Sequence, residues 1–226
     1  MWPILIAMFL ITGGISAQDG PAINGYLQTE NRLRMNSNEF TWNENRLNLH
    51  LEGSPSASYH YFSEIRLRGF GFADVDQTSD LQLPEKDRVH RWGLEFREAY
   101  LDLYEFGLDN LDLRVGRQII SWGTADALNP TSNLSPDDLE DIYNFGAQLG
   151  TNAINATYYI GDANLNAVYI PVFTPATLPF GDFAEALAGP MTLPPGLNPR
   201  NLSDIVVLPE PSISTSSQFA VRFSTN

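Results

Sequence analysis

The chain has 226 residues and a net charge of −14, from 27 Asp plus Glu against 13 Lys plus Arg, a balance that argues against nucleic acid as a partner. It has no cysteine, so no disulfide can staple the fold, and an exported form has to rely on a large core or a closed sheet. Aromatic residues make up 12% of the chain while mean hydropathy is −0.19, a pairing that suits a soluble β-sandwich or a barrel with one face to lipid and one to water.

Residues 2–11 form a short apolar run, closed by Thr12, Gly13 and Gly14. Ile15, Ser16 and Ala17 then form a small-residue cleavage pattern, so residues 1–17 read as a secretory signal peptide, although no Lys or Arg precedes the run. The run is too short for a spanning helix, which takes about 20 apolar residues. Charges interrupt every later apolar stretch, so if residues 18–226 belong to a membrane they form a barrel or lie at its surface.

Period-2 alternation then recurs along the chain. A weaker first strand is expected from Ile23 to about Arg32. Leu47, Leu49 and Leu51 alternate with Arg46, Asn48, His50 and Glu52. Tyr59, Tyr61, Ile65 and Leu67 oppose His60, Glu64, Arg66 and Arg68. Trp92, Leu94 and Phe96 alternate with Arg91, Glu95 and Arg97, after which Ala99, Leu101 and Leu103 become the apolar set. A phase flip inside one strand implies a bulge, because one extra residue swaps the faces. Leu111, Leu113 and Val115 follow, opposite Asp112, Arg114 and Gly116. Ile154 to Ile160, Leu165 to Tyr169 and Phe219 to Phe223 complete about eight strands of roughly 9–15 residues, long enough to cross a bilayer at a tilt.

The joints alternate in length. Those near Gly53 to Ser56, Glu105 to Asn110 and Gly161-Asp162 are short, the last suiting a hairpin with Gly first. Those near 33–44, 73–90, 120–144 and 172–216 are long. Short periplasmic turns and long outer loops are the pattern of outer-membrane barrels, and a soluble sandwich has no reason to follow it. The expected fold is therefore all-β, the N-terminal portion of an antiparallel transmembrane β-barrel in the outer membrane of a Gram-negative bacterium. The ending at Phe223 to Asn226, inside an alternating segment, reads as a truncation.

Two loops carry further signals. Ser135 before Pro136, with Asp138 three positions on, predicts a capped short helix over Pro136–Tyr143. Its Asp137, Asp138, Glu140 and Asp141 offer oxygen ligands for Ca²⁺, without an EF-hand spacing; the competing reading is a solvated helix face. Arg117 is in phase with Leu113 and Val115, so it sits at the interface or is turned inward by a bulge, and the bulge is preferred because it would spare a bilayer-facing arginine near the midplane. The Pro-rich 172–216 joint, with Phe180, Phe183 and Leu187 between Asp182 and Gly189, predicts a second short helix and a segment able to constrict a barrel mouth.

The stretch from Arg114 and Val115 through Gly116, Arg117, Gln118, Trp122 and Gly123 to Asn129 and Pro130 resembles a family of uncharacterised, porin-like outer-membrane barrels of Gram-negative bacteria. The likeness is sharp over about residues 111–140. It implies an outer-membrane barrel in contact with lipid and no settled substrate.

Glu64, Arg66, Arg68, Glu95, Arg97, Asp112 and Arg114 are the candidate lumen-lining residues. Opposed rows of acids and bases either set the selectivity of a channel or pair with one another and close the lumen. His50, His60 and His90 lack a compact ligand spacing, so no metal site is assigned, and no cofactor motif is present. No nucleophile elbow appears either, so no enzyme is read. The leading expectation is a channel or uptake barrel for small solutes. The alternatives are a plugged structural or adhesive barrel, and a barrel that passes apolar compounds.

Overall fold

A computed structural model describes residues 21–35, 39–70, 92–123, 131–141, 143–144, 146–177 and 209–225. The signal peptide expected over residues 1–17, His90, Asn129, Pro130 and the helix expected between Asp182 and Gly189 lie outside these residues. The fold is all-β. Its strands are β1 (Ala22–Arg34), β2 (Glu39–Ser56), β3 (Tyr59–Phe70), β4 (Trp92–Leu103), β5 (Leu111–Gln118), β6 (Thr151–Ile160), β7 (Ala163–Ile170) and β8 (Gln218–Thr225), with a one-turn helix α1 (Ile213–Ser216) before β8. They form one 8-stranded sheet in chain order, and every neighbouring pair is antiparallel.

Cross-strand partners share a face, so the registers carry the alternation from strand to strand. Leu27 faces Leu47, Leu47 faces Leu67, and Leu67 faces Leu94. Leu101, Val115, Ile154, Tyr169 and Phe219 continue the row to β8. This face is exposed, up to 70% at Trp92 and 71% at Phe219. The sheltered face is the polar one: Asn48, Arg68, Asp102, Gln118 and Asn166 are all buried. That distribution is inside out for a protein bathed in water, where large contiguous apolar patches are rare. The apolar core is small, formed by Ile120, Ala153, Val168 and Ile170 with Trp122 and Leu134 against them.

The phase flip in β4 has the expected cause. The register steps from Glu64↔Glu98 to Ile65↔Phe96, leaving Arg97 as the extra residue. Glu95 before the bulge and Glu98, Tyr100 and Asp102 after it therefore share the polar face. No bulge turns Arg117, whose registers with Ala99 and Asn152 are unbroken. It keeps the face of Val115, one residue from the end of β5 and beside Gly150, which leaves it room.

The short joints at 104–110 and 161–162 are confirmed, and Gly161 takes the expected positive φ of 58°. The one expected near Gly53 to Ser56 falls at 57–58, because β2 runs on to Ser56 past an irregularity between Gly53 and Ser56. The first long joint is corrected: β1 and β2 run on until only 35–38 separates them. The helix expected over Pro136–Tyr143 is corrected too, because the described residues there are extended or turning. Ser135 does not cap them; its hydroxyl accepts from the Ile120 amide at 2.7 Å. Asp138 N instead donates to Ala147 O and Leu149 N to Pro136 O, both at 2.8 Å, folding the segment into a hairpin-like return.

Gly116 adopts φ 129°, and a Cβ there would lie 2.3 Å from Ala99 O. Gly107 has φ 74° and nothing within 4 Å. Gly116→Ala should therefore lose about 2 kcal/mol or more, against about 1 kcal/mol for Gly107→Ala. Thermal unfolding of the two variants in detergent checks the ordering.

Candidate functional site

The polar face of β1 to β4 carries a wall of arginines separated by carboxylates. Alternation dictates this, since Arg46, Arg66 and Arg68 occupy even positions of paired strands. Glu30 on β1 pairs with Arg32 and receives Arg46 Nη2 at 2.8 Å. Glu44 is almost fully buried, 3.1 Å from Arg68 Nε and 3.5 Å from Arg46 Nε. Arg66 donates to Asn48 Oδ1 at 3.0 Å and stands 3.9 Å from Glu95.

The joint between β5 and β6 folds back across this wall. Its first part is apolar: Ile120 and Trp122 pack with Leu134 on Ala153 and Val168 of β6 and β7. Its second part is the acidic run, and three of its carboxylates each meet an arginine from a different strand. Asp141 takes two bonds from Arg32 of β1, at 2.5 and 2.7 Å. Glu140 receives Arg68 of β3 at 2.6 Å. Asp138 receives Arg97 of β4 at 2.7 Å. Arg97 also donates to Gln148 O at 3.0 Å, and Thr177, at the start of the next long joint, donates to Asp138 Oδ1 at 2.7 Å.

Four flat strands would span about 14 Å from β1 to β4. Residues 138 to 141 reach at most about 10 Å. The length of the arginine side chains reconciles the two. Arg32 is further held between the rings of Trp42 and Tyr143, 4.9 and 4.6 Å from their centroids.

A second cluster lies toward the short turns. Arg114 forms a two-pronged pair with Asp102, at 2.6 and 3.1 Å, and stacks 4.0 Å from the Tyr100 ring. His60 Nδ1 is 3.0 Å from the same Asp102. Tyr26, His50, Phe62 and Tyr100 form a row of neighbouring rings across β1 to β4. On β5 to β7 the polar face changes character. Gln118, Asn155, Asn166 and Thr157 form a ladder of amides and a hydroxyl, completed by Trp122 Nε1 donating to Asn166 Oδ1 at 3.1 Å.

The structure brings Arg66, Arg68, Glu95 and Arg97 into one network. Glu64 lies on the same face, 3.9 Å from His50, and Arg114 belongs to the second cluster. Asp112 stands apart, accepting from the Glu105 amide at the 104–110 turn. The motif positions Gly116, Gln118, Trp122 and Gly123 serve the returning loop. Gln118 is fully buried in the amide ladder, and Gly123 turns with φ 95°. Sequence reasoning missed Glu44, Glu98 and Asp102, although carrying the phase flip through β4 places the last two. It also missed the acidic run as the arginines' partner. That run is neither a helix nor a solvated face; Asp138, Glu140 and Asp141 meet guanidinium groups instead. Among the described residues, no group of three or more His, Asp or Glu could hold a metal ion.

These features define a class: an antiparallel meander with an exposed apolar face and a charged face bridged by an inserted acidic loop. The chain belongs to the family described as protein of unknown function (DUF1302), whose model matches residues 25–179. The match takes in β1 to β7, the arginine wall and the acidic run. No curated protein and no solved structure matches the chain.

Two carboxyls of the loop respond to acid in opposite senses. Burial pushes Asp138 up, but Arg97 and the Thr177 hydroxyl outweigh it and hold it below the usual carboxylate range. Burial pushes Glu140 up and outweighs Arg68. A depressed carboxyl stabilises docking above its ordinary pKa and loses that contribution as pH falls through its lowered value. A raised one favours docking as it takes up a proton. Acidification from pH 7 to about 5 should therefore leave the loop docked, with release only below about pH 4. Acrylamide quenching of tryptophan emission should stay flat over the first range and rise below the second.

Proposed function

We propose that this sheet forms the wall of a porin-like outer-membrane channel or uptake barrel for small hydrophilic solutes. In this reading residues 1–17 direct export, the apolar face contacts lipid, and the polar face lines the lumen. The acidic run 137–141 narrows the lumen from one side against the arginine wall.

The observation that carries the reading is the inside-out sheet. Large apolar side chains are exposed along strands β1 to β8, while Arg68, Asp102 and Asn166 are sheltered behind them. A bilayer resolves that arrangement, and water does not. The alternation of short and long joints after β2 agrees with it. A ring of opposed charges then gives an ion or polar solute a transverse field to cross. The plugged-barrel reading has its own support, because Arg68 meets three carboxylates and leaves little charge unmatched.

Refolding in detergent, comparison of unheated and heated gel bands, and planar-bilayer recording test both readings. A heat-shifted band with discrete conductance steps is expected. Replacing Asp138, Glu140 and Asp141 by their amides should shift ion preference toward anions. A heat-shifted band that never conducts would replace the channel by the plugged barrel, and the absence of a heat shift would remove the barrel.

The two faces should also differ in their tolerance of charge. Leu67→Arg, on the apolar face, should cost about 2–4 kcal/mol if it sits at mid-membrane depth. Gln28→Arg, on the polar face, should cost well under half of that. Equilibrium refolding into lipid vesicles measures the difference.

A further inference from the structure

A strip of rings crosses the otherwise charged face of β1 to β4. Tyr26, His50, Phe62 and Tyr100 come one from each strand, and successive ring centroids lie 6.3, 5.9 and 5.4 Å apart. All four residues are half-buried, so part of each remains open. Arg114 covers the Tyr100 ring from 4.0 Å, which leaves Tyr26, His50 and Phe62 as the accessible part of the strip.

The acids beside that part are the ones the arginines pass over. Of the polar-face acids on β1 to β4 with described side chains, Glu30, Glu44, Glu95 and Asp102 each meet an arginine. Glu52, Glu64 and Glu98 meet none among the described residues. Glu52 is the register partner of Phe62, and Glu64 that of His50. Glu64 also faces Glu98 directly across β3 and β4. Its one basic neighbour is His50 Nε2 at 3.9 Å, while Glu98 accepts the Ile119 amide at 2.9 Å. The strands on both sides of these residues are described, so no sheet edge accounts for the missing arginine. The nearest polar-face arginines are committed elsewhere: Arg66 to Asn48 and Glu95, Arg114 to Asp102.

Like charges directly opposite each other destabilise a strand pair, and a cation beside them offsets that cost. An apolar strip on the same spot adds contact area for the body that carries the cation, and rings attract positive charge further. An anion is repelled here. A bare metal ion gains little from the rings, and no three carboxylates or imidazoles among the described residues converge on one.

We propose that Tyr26, His50 and Phe62, with Glu64 and Glu98 beside them, form a binding subsite for organic ammonium ions with an apolar or aromatic body. The proposal deepens the channel reading and rests on it for the claim that solutes reach this face. Glu64 and Glu98 supply the charge, and the rings supply contact area. The subsite lies between the acidic loop and the short turns, so a cation that passes the loop meets it next.

The test uses the full chain refolded in detergent near neutral pH, with benzylammonium as probe and benzyl alcohol as its neutral counterpart. Binding is followed by saturation-transfer NMR titration. The wild type should bind benzylammonium at least about tenfold more tightly than benzyl alcohol, and ammonium chloride at the same concentration as the probe should not displace it. The double variant Glu64→Gln and Glu98→Gln should lose that preference and leave the alcohol unchanged; the new amide oxygen at 98 can still accept from Ile119. Phe62→Ser should weaken both probes. Equal binding of the two probes by the wild type overturns the proposal without reference to any variant. An undiminished preference in the double variant overturns it too, and displacement by ammonium alone reduces the site to a bare charge and removes the rings from it. Because the readout needs no current, the two claims fail separately. A non-conducting protein that binds benzylammonium through Glu64 and Glu98 refutes the channel and keeps the site. A conducting protein indifferent to benzylammonium does the reverse.

Discussion

Guanidinium groups sheltered from water need anions beside them, and Arg32, Arg68 and Arg97 find theirs on a single returning loop. Asp141, Glu140 and Asp138 lie within four residues of one another, yet they meet β1, β3 and β4 respectively. One short acidic segment thereby ties together strands that the meander itself connects only through their neighbours. If those pairs were removed, the acidic part of the loop would lose its ionic hold on the sheet, while Ile120, Trp122 and Leu134 would still pack its apolar part on β6 and β7.

The polar face is divided. β1 to β4 hold their charges in matched groups, with Arg68 among three carboxylates and Arg114 clasped by Asp102. β5 to β7 carry amides and hydroxyls around the fully buried Gln118. The residues that stand out in the sequence, Gly116, Gln118, Trp122 and Gly123, sit at the boundary. Gly116 permits close approach to Ala99, Gln118 and Trp122 bond into the amide ladder, and Gly123 turns the chain. Their work is to launch the loop that delivers the acidic run, so a sharp motif here is a scaffold for the charged contacts beyond it.

Much of this was legible in the sequence. Strict alternation forces Leu47, Leu49 and Leu51 to one face and Asn48 and His50 to the other, whatever the surrounding fold. The flip near Arg97 could only be a bulge, and it is one. What alternation cannot reveal is contact between residues far apart in the chain. Ser135-Pro136 followed by acids has the local signature of a helix start. Local propensity lost there to the hydrogen bonds of a return and to three guanidinium partners, the nearest of them some forty residues away. Arg117 misled for a related reason. A bulge was preferred to a place at the interface, and the unbroken registers beside the end of β5 decide against the bulge. Asp112 was grouped with the wall on phase alone, although its height along β5 assigns it to a turn.

The dependence of the arrangement on the acid–arginine contacts is tested most directly by a double-mutant cycle at Arg97 and Asp138. The readout is hydrogen exchange of the backbone amides of residues 137–149 in the refolded protein. The loop should open in Arg97→Gln and in Asp138→Asn, and the double variant should be no worse than either, giving a coupling of about 1–3 kcal/mol. Additive single effects, or a loop whose protection ignores both substitutions, would contradict the account.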